Sequence, residues 1–243
     1  MMPAAAVRSE PLDAADRSTL DSRLSTRAFV IYVAAFLLVW SLRATVFIHI
    51  DESIKSDVAR NLYSNAVKFT LWVLPALIIL AVLRAKPFAY TKLTTRPDKR
   101  GLLISSVLLV IWFSLTVVGE SVISGRNIGA MLSQRSSQWL GIVAGVSLSS
   151  ISEEILFRGF FLNRLNETLS FWKSNFVAAA LFMLAHVPYW ISKGGFSGRV
   201  IRDLVNVVLL GCVFGWVMKK TNSLWPAIGA HIANNFLSGL MHA

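Results

Sequence analysis

Three short groups of residues in this chain have types and spacings that could do chemistry, and all three fall inside apolar runs. Glu153, Glu154 and Arg158 interrupt the run that continues to Leu165; His186 ends the sequence Phe182-Met-Leu-Ala-His186; His231 and Asn235 close His231-Ile-Ala-Asn234-Asn235. An ionisable group inside a membrane span is costly, and one that persists there usually faces a cavity or a partner and marks a functional pathway. Adjacent acids on a helix point about 100° apart, so only one of Glu153 and Glu154 can easily face a given partner. Glu154 and Arg158 are spaced i and i+4, which lets them pair. The spacing therefore predicts a division of labour. Arg158 neutralises and orients Glu154, and Glu153 faces the bundle interior as the reactive acid, able to take a proton from water and hand it on. The bland reading of the same residues is a structural ion cluster at a helix end. A lone histidine on an apolar helix is also commonly a packing residue, but two histidines, an amide and a carboxylate together exceed what packing asks for.

The elements that must position these groups are membrane helices. With 55% hydrophobic and 15% charged residues over 243, and a positive mean hydropathy, the chain is too apolar for an ordinary soluble domain. The formal charge of +11 does not imply nucleic acid, because lysines and arginines lie in short segments between apolar runs. Cys212 is the single cysteine, which excludes a disulfide framework or a multi-cysteine metal site. Apolar runs predict spans at about 28–49, 66–83, 102–119, 139–165, 175–192, 203–218 and 224–241. The expected fold class is all-α, a polytopic helical membrane protein with about seven transmembrane helices. Residues 1–27 read as a disordered cytoplasmic tail, 28–120 as amino-terminal transmembrane helices and 139–241 as the core that carries the chemistry.

Lysine and arginine concentrate on alternate connections, most of all in Arg84, Lys86, Lys92, Arg96, Lys99 and Arg100. This excess orients the amino terminus to the cytoplasm and predicts a multi-pass protein of the plasma (inner) membrane. Lys55, Arg60 and Lys68 are counted in that scheme as an outer segment. At a rise of ~1.5 Å per residue, Glu153, His186 and His231 lie on the order of 18, 16 and 10 Å from the cytoplasmic ends of their helices, so they can converge. Gly211 and Gly215 form a small-xxx-small pair suited to close helix contact. Arg43, inside the first span, is expected to snorkel or to pair with an acid.

Taken in order, Glu-Glu-x-x-x-Arg at 153–158, Phe-x-x-x-His at 182–186 and His-x-x-x-Asn at 231–235 resemble the motif set of the CPBP family. That family includes the type II CAAX prenyl endopeptidases and the lysostaphin-resistance and bacteriocin-immunity proteins. The likeness covers residues 139–241; the tail and first three spans match nothing beyond hydropathy. The resemblance implies an intramembrane endopeptidase that holds a water among Glu153, His186, His231 and Asn235. Glu153 would be the general base, assisted by His186, with His231 and Asn235 holding the oxyanion, and Glu154 and Arg158 in support. A rival account within the family makes Glu153, His186 and His231 ligands of Zn2+. The chain has no His-Glu-x-x-His helix, and an asparagine and a Glu-Glu pair are not typical zinc ligands, so the metal-free mechanism is favoured and no cofactor is expected.

The expected partners are the lipid bilayer and a membrane-anchored or lipidated protein substrate, with no nucleic acid. A cavity opening to the cytoplasmic side would suit a peptide delivered by its lipid or its own helix. Two other classes compete with proteolysis. A non-catalytic immunity or scaffold protein of the same fold would tolerate replacement of Glu153 and His231. A proton-coupled transporter would use the same groups as a relay, but the sequence shows no pair of similar halves.

Overall fold

The computed structural model describes residues 25–83, 85–125, 139–192, 194–195 and 197–241, and all regular structure among them is helical. Helix α1 (Thr26–Thr45) starts at Ser25, whose Oγ accepts the Ala28 N–H at 3.2 Å, the usual satisfaction of a free helix donor. A short α2 (Ile48–Ser53) leads to α3 (Asp57–Val82), which widens into a π-helical stretch at Phe69–Val73. After α4 (Pro87–Tyr90), α5 (Lys99–Ser124) begins at Asp98, whose carboxylate accepts the Gly101 N–H at 2.7 Å. Helix α6 runs as Trp139–Glu154, continues as a π-helical stretch at Ile155–Leu162 and ends with the turn Asn163–Asn166. The last three are α7 (Phe171–Ser192), α8 (Gly198–Thr221) and α9 (Trp225–Met241).

Five helical segments are long and apolar enough to cross a membrane: Thr26–Ser53, Asp57–Val82, Lys99–Gly119, Phe171–Ser192 and Val200–Thr221. The other two long helices complete the expected set of about seven. Helix α6 carries Glu153, Glu154, Arg158 and Arg164 within its run, and α9 is 17 residues long. The chain is an all-α polytopic helical membrane protein. Its outer helices expose apolar side chains, as Leu103, Val110, Leu115 and Val122 do along α5, the inverse of a soluble surface.

Two boundaries differ from those read in the sequence. The expected tail 1–27 overlaps α1 at Thr26 and Arg27, and residues 1–24 lie outside those described. The second span starts at Asp57 rather than 66, because the amphipathic stretch Asp57–Lys68 is helical although it is not apolar. Ser56 caps it by accepting the Ala59 N–H at 3.4 Å. Lys68 is thereby a mid-helix residue, not a charge of an outer connection. The lysine and arginine excess still points the same way without it.

The π-helical stretch of α6 is buried throughout and anchors the core. Phe160 and Phe161 meet Phe29 of α1 edge-on at 6.2 and 5.7 Å, and Phe157 meets Trp72 of α3 at 5.4 Å. Edge-to-face pairs of this kind add to the value of the buried area. Arg43 pairs with Asp51 through two contacts of 2.5 and 2.6 Å, both side chains buried, so the pairing reading holds. Helices α7 and α8 approach closely at the glycine pair. A Cβ on Gly211 would lie 2.8 Å from that of Ala179, and one on Gly215 would enter the space of the Asn175 amide, which donates to the Cys212 carbonyl at 2.8 Å.

One end of the bundle is stitched together by hydrogen bonds. Asp98 N–H donates to Thr221 O at 2.6 Å, Leu224 N–H to Lys92 O at 3.2 Å, and the Trp225 indole to Leu93 O at 2.7 Å. Glu167 accepts from Tyr90 at 2.6 Å and from Arg164 at 2.7 Å. Burial and the neighbouring carboxylate hold the Tyr90 hydroxyl well above its ordinary pKa, so it stays a donor. This is the basic end, with Lys86, Lys92, Arg96, Lys99, Arg100, Lys219 and Lys220.

Candidate active site

The site is built on the last turn of α6 before its π-helical stretch, where the chain must present two acids from consecutive positions. π-helical turns recur at functional sites because the inserted residue re-aims its neighbours. Glu153 and Glu154 are both buried, at 4% and 0% exposure, which obliges each to find partners. They find different ones.

Glu154 turns into a closed aromatic slot. Its Oε1 accepts from Arg158 Nη1 at 2.7 Å and from His231 Nδ1 at 2.7 Å. The Arg158 guanidinium lies over the Phe182 ring at 4.5 Å and near that of Phe214 at 5.5 Å, and the Phe214 ring stacks on His231 at 5.0 Å. A guanidinium held against ring faces is stabilised by their negative quadrupole. The phenylalanine of the Phe-x-x-x-His motif is therefore the floor under Arg158. Gly211 completes the slot, since a Cβ there would lie 3.2 Å from Arg158 Nη2.

Glu153 turns the other way. Its Oε1 accepts from Ser149 Oγ at 3.0 Å and from Lys68 Nζ at 2.5 Å, and its Oε2 faces His231 Nε2 at 3.4 Å. The expected separation of the two acids, with Arg158 on Glu154 and Glu153 free of it, is what the geometry shows. Because a carboxylate only accepts, His231 donates its Nδ1–H to Glu154, while its Nε2 faces Glu153. His186 is fixed in the same manner, Nδ1–H donating to Phe182 O at 2.8 Å, with its ring 4.7 Å from Phe182 and 5.7 Å from Trp190. It lies close enough to Glu153, Lys68 and His231 to interact electrostatically with each. Asn235 docks on α6 by donating from Nδ2 to Ser150 Oγ at 3.1 Å.

The structure thus joins Glu153, Glu154, Arg158 and His231 by direct contact, brings His186 to them across Phe182, and attaches Asn235 through Ser150. Sequence reasoning missed Lys68, Ser149, Ser150 and Phe214. Lys68 stood at the edge of an apolar run and was counted for topology, although a lysine one turn ahead of Trp72 was the available signal.

Asn235, Ser149 and Lys68 also line a cavity of about 520 Å³, whose other walls include Asn61, Asn65 and Ser238. Amides and hydroxyls dominate this lining. The cavity lies between the amino-terminal halves of α3 and α6 and the carboxyl-terminal half of α9, away from the basic end. The basic connections and the cavity occupy opposite ends of the bundle, whereas an amino terminus in the cytoplasm and a cavity opening to the cytoplasm were both expected from sequence.

The fold and the site define a polytopic membrane protein in which buried glutamates and a buried histidine lie beside a polar cavity that Asn235 lines. Residues 135–237 match the family described as type II CAAX prenyl endopeptidase Rce1-like. No curated protein and no solved structure matches the chain.

Zinc was the rival expectation for Glu153, His186 and His231. The side chains as placed do not form such a centre: among the described residues no three His, Cys, Asp or Glu groups come together to hold a metal, and the Lys68 ammonium occupies Glu153 Oε1. A fixed cation against the carboxylate competes with a divalent ion for the same lone pairs.

Proposed function

We propose that the protein is an endopeptidase that hydrolyses a peptide bond of a membrane-anchored or lipidated protein with a water activated by Glu153. The observation that supports this most is the asymmetry of the Glu153 carboxylate, with Oε1 anchored by Lys68 of α3 and Ser149 of α6 and Oε2 turned toward His231 Nε2. A base needs this arrangement: one oxygen fixed and the other presented to the reacting water.

In this reading the substrate backbone lies along the cavity, where Asn61, Asn65 and Ser238 offer hydrogen bonds to peptide groups, while its lipid or anchoring helix stays in the bilayer. Glu153 Oε2 takes a proton as the water oxygen attacks the scissile carbonyl carbon. His186, with Nδ1 committed to Phe182 O, turns Nε2 toward the same water. The oxyanion that forms is met by the Asn235 amide N–H, with the His231 ring beside it. Preorganised donors aimed at developing charge are commonly the largest single contribution to such a reaction. Glu153 then returns its proton to the departing amine, the C–N bond breaks, and the carboxyl product carries the water oxygen. No step passes through a metal.

Cleavage of membrane-anchored peptides by detergent-purified protein tests the reading. Cleavage that is lost in Glu153→Gln and persists after chelation, with no stoichiometric metal in the preparation, supports it; cleavage abolished by chelators and restored by zinc replaces it with a metalloprotease.

For orientation, we place the basic end in the cytoplasm and the protein in the plasma membrane, which sets the cavity toward the outer side. A cysteine at Asn61, in a Cys212→Ala background, is then labelled in intact cells by a membrane-impermeant thiol reagent. Labelling only after the membrane is opened reverses the orientation.

A further inference from the structure

We propose that Lys68 is a positioning residue for Glu153, supplied to the site by a helix outside the segment that matches the family. This rests on the reading of Glu153 as the base. Helix α3 precedes residues 135–237, and nothing in that segment's motifs calls for a lysine. Yet Lys68 Nζ reaches across to α6 and contacts both Glu153 Oε1 at 2.5 Å and Ser149 Oγ at 2.7 Å.

A lysine at the end of an amphipathic stretch that lines a polar cavity has an easier course, which is to extend its ammonium into that space along its flexible stem. Lys68 instead turns its ammonium to Glu153 and Ser149. Its side chain is only 15% exposed, and its ammonium sits over the rings of Trp72 at 4.7 Å and Trp40 at 5.9 Å. The two indoles stand edge-on at 4.7 Å and form a wall that the ammonium rests against. Trp40 is fixed in turn by its indole N–H, which donates to Ala185 O at 2.8 Å, next to His186. Helices α1, α3 and α6 therefore meet at a single ammonium, with α7 fixing Trp40 behind it. Burying this charge is worthwhile only with its partner in place.

The geometry says what the pairing accomplishes. With Oε1 held by two donors, the Glu153 carboxylate cannot spin about its terminal torsion, and Oε2 is the oxygen left facing His231. Both Lys68 and Glu153 stand within one turn of a π-helical stretch, Phe69–Val73 and Ile155–Leu162, so local widening of each helix bears on how the pair meets. Lys68 acts through Glu153 and does not itself touch the reacting atoms.

The test compares Lys68→Met, Lys68→Arg and Glu153→Gln, singly and combined, in the full-length protein. The expected result is a fall in kcat of about 100-fold for Lys68→Met with KM changed less than about threefold, the size of loss that misplacing a catalytic group brings. Lys68→Arg recovers at least tenfold of it, and Lys68→Met adds nothing in the Glu153→Gln background. A raised KM with kcat intact makes Lys68 a substrate-binding cation and overturns the proposal; so does unchanged kcat. Thermal unfolding reads the pair without any substrate: Lys68→Met lowers Tm, and adding Glu153→Gln restores most of the loss. If no peptide is cleaved by wild type but this restoration is seen, the endopeptidase reading fails while the pairing stands. If Tm does not respond, the pairing itself is wrong.

Discussion

Glu153 and Glu154 are neighbours in sequence and opposites in surroundings. Glu154 lies in a slot roofed by Phe214 and floored by Phe182, with Arg158 and His231 as its partners. Glu153 lies behind Lys68 and Ser149, two residues of the cavity wall, which hold one of its oxygens, with His231 across from the other. His231 touches both. The difference teaches that two charges separated by one peptide bond can be assigned to stability and to chemistry by the side on which they leave the helix. An ion pair closed off among rings is a structural commitment, because removing one partner strands the other charge. A carboxylate anchored by one oxygen and facing a histidine with the other is, in the proposed function, the reagent.

The largest effect that separates these layers is on turnover. Glu153→Gln keeps size and hydrogen bonding but removes the base, and is expected to lower kcat by at least about 1,000-fold, with a fall in Tm from the stranded Lys68 charge that is smaller than that of Arg158 variants, read by peptide cleavage and thermal unfolding. The reverse pattern, stable turnover with a collapsed Tm, would merge the two layers into one structural cluster.

Arg158→Leu probes the dry layer. It leaves Glu154 buried with His231 alone, and denaturant or thermal unfolding is expected to register a loss of about 3–5 kcal/mol. Asn235→Ala probes the cavity side of His231. It removes one oxyanion donor and is expected to lower kcat about 100-fold with KM nearly constant, in steady-state cleavage of one peptide. A rise in KM alone would make Asn235 a binding group. The smallest effect belongs to the wall of the slot. Gly211→Ala forces α8 away from Ala179 and Arg158 and is expected to cost about 1–3 kcal/mol of stability, with a smaller loss of turnover than Asn235→Ala.

Much of this molecule was legible from its residues. Hydropathy alone yields the helical membrane class, because a bilayer admits few other ways to satisfy a backbone. The Glu-Glu-x-x-x-Arg spacing yields the Glu154–Arg158 pair, since i and i+4 meet on any helix. The small-xxx-small pair at Gly211 and Gly215 likewise points to a close helix contact, which α7 supplies.

What sequence could not reach was the identity of partners far apart along the chain. Lys68 and Glu153 are separated by 85 positions, and no local rule says that α3 turns that face toward α6. The span from Asp57 was invisible for a related reason: hydropathy measures contact with lipid, whereas this stretch is amphipathic and turns Asn61, Asn65 and Lys68 to a cavity. The end of the bundle at which that cavity lies was likewise decided by packing. Sequence by itself determined which residues could not be left alone in an apolar interior, because the cost of an unpaired charge is set by its chemistry. Only the tertiary structure decided which partner each would take, because that depends on how helices rotate against one another to bury Phe157, Phe160 and Trp72.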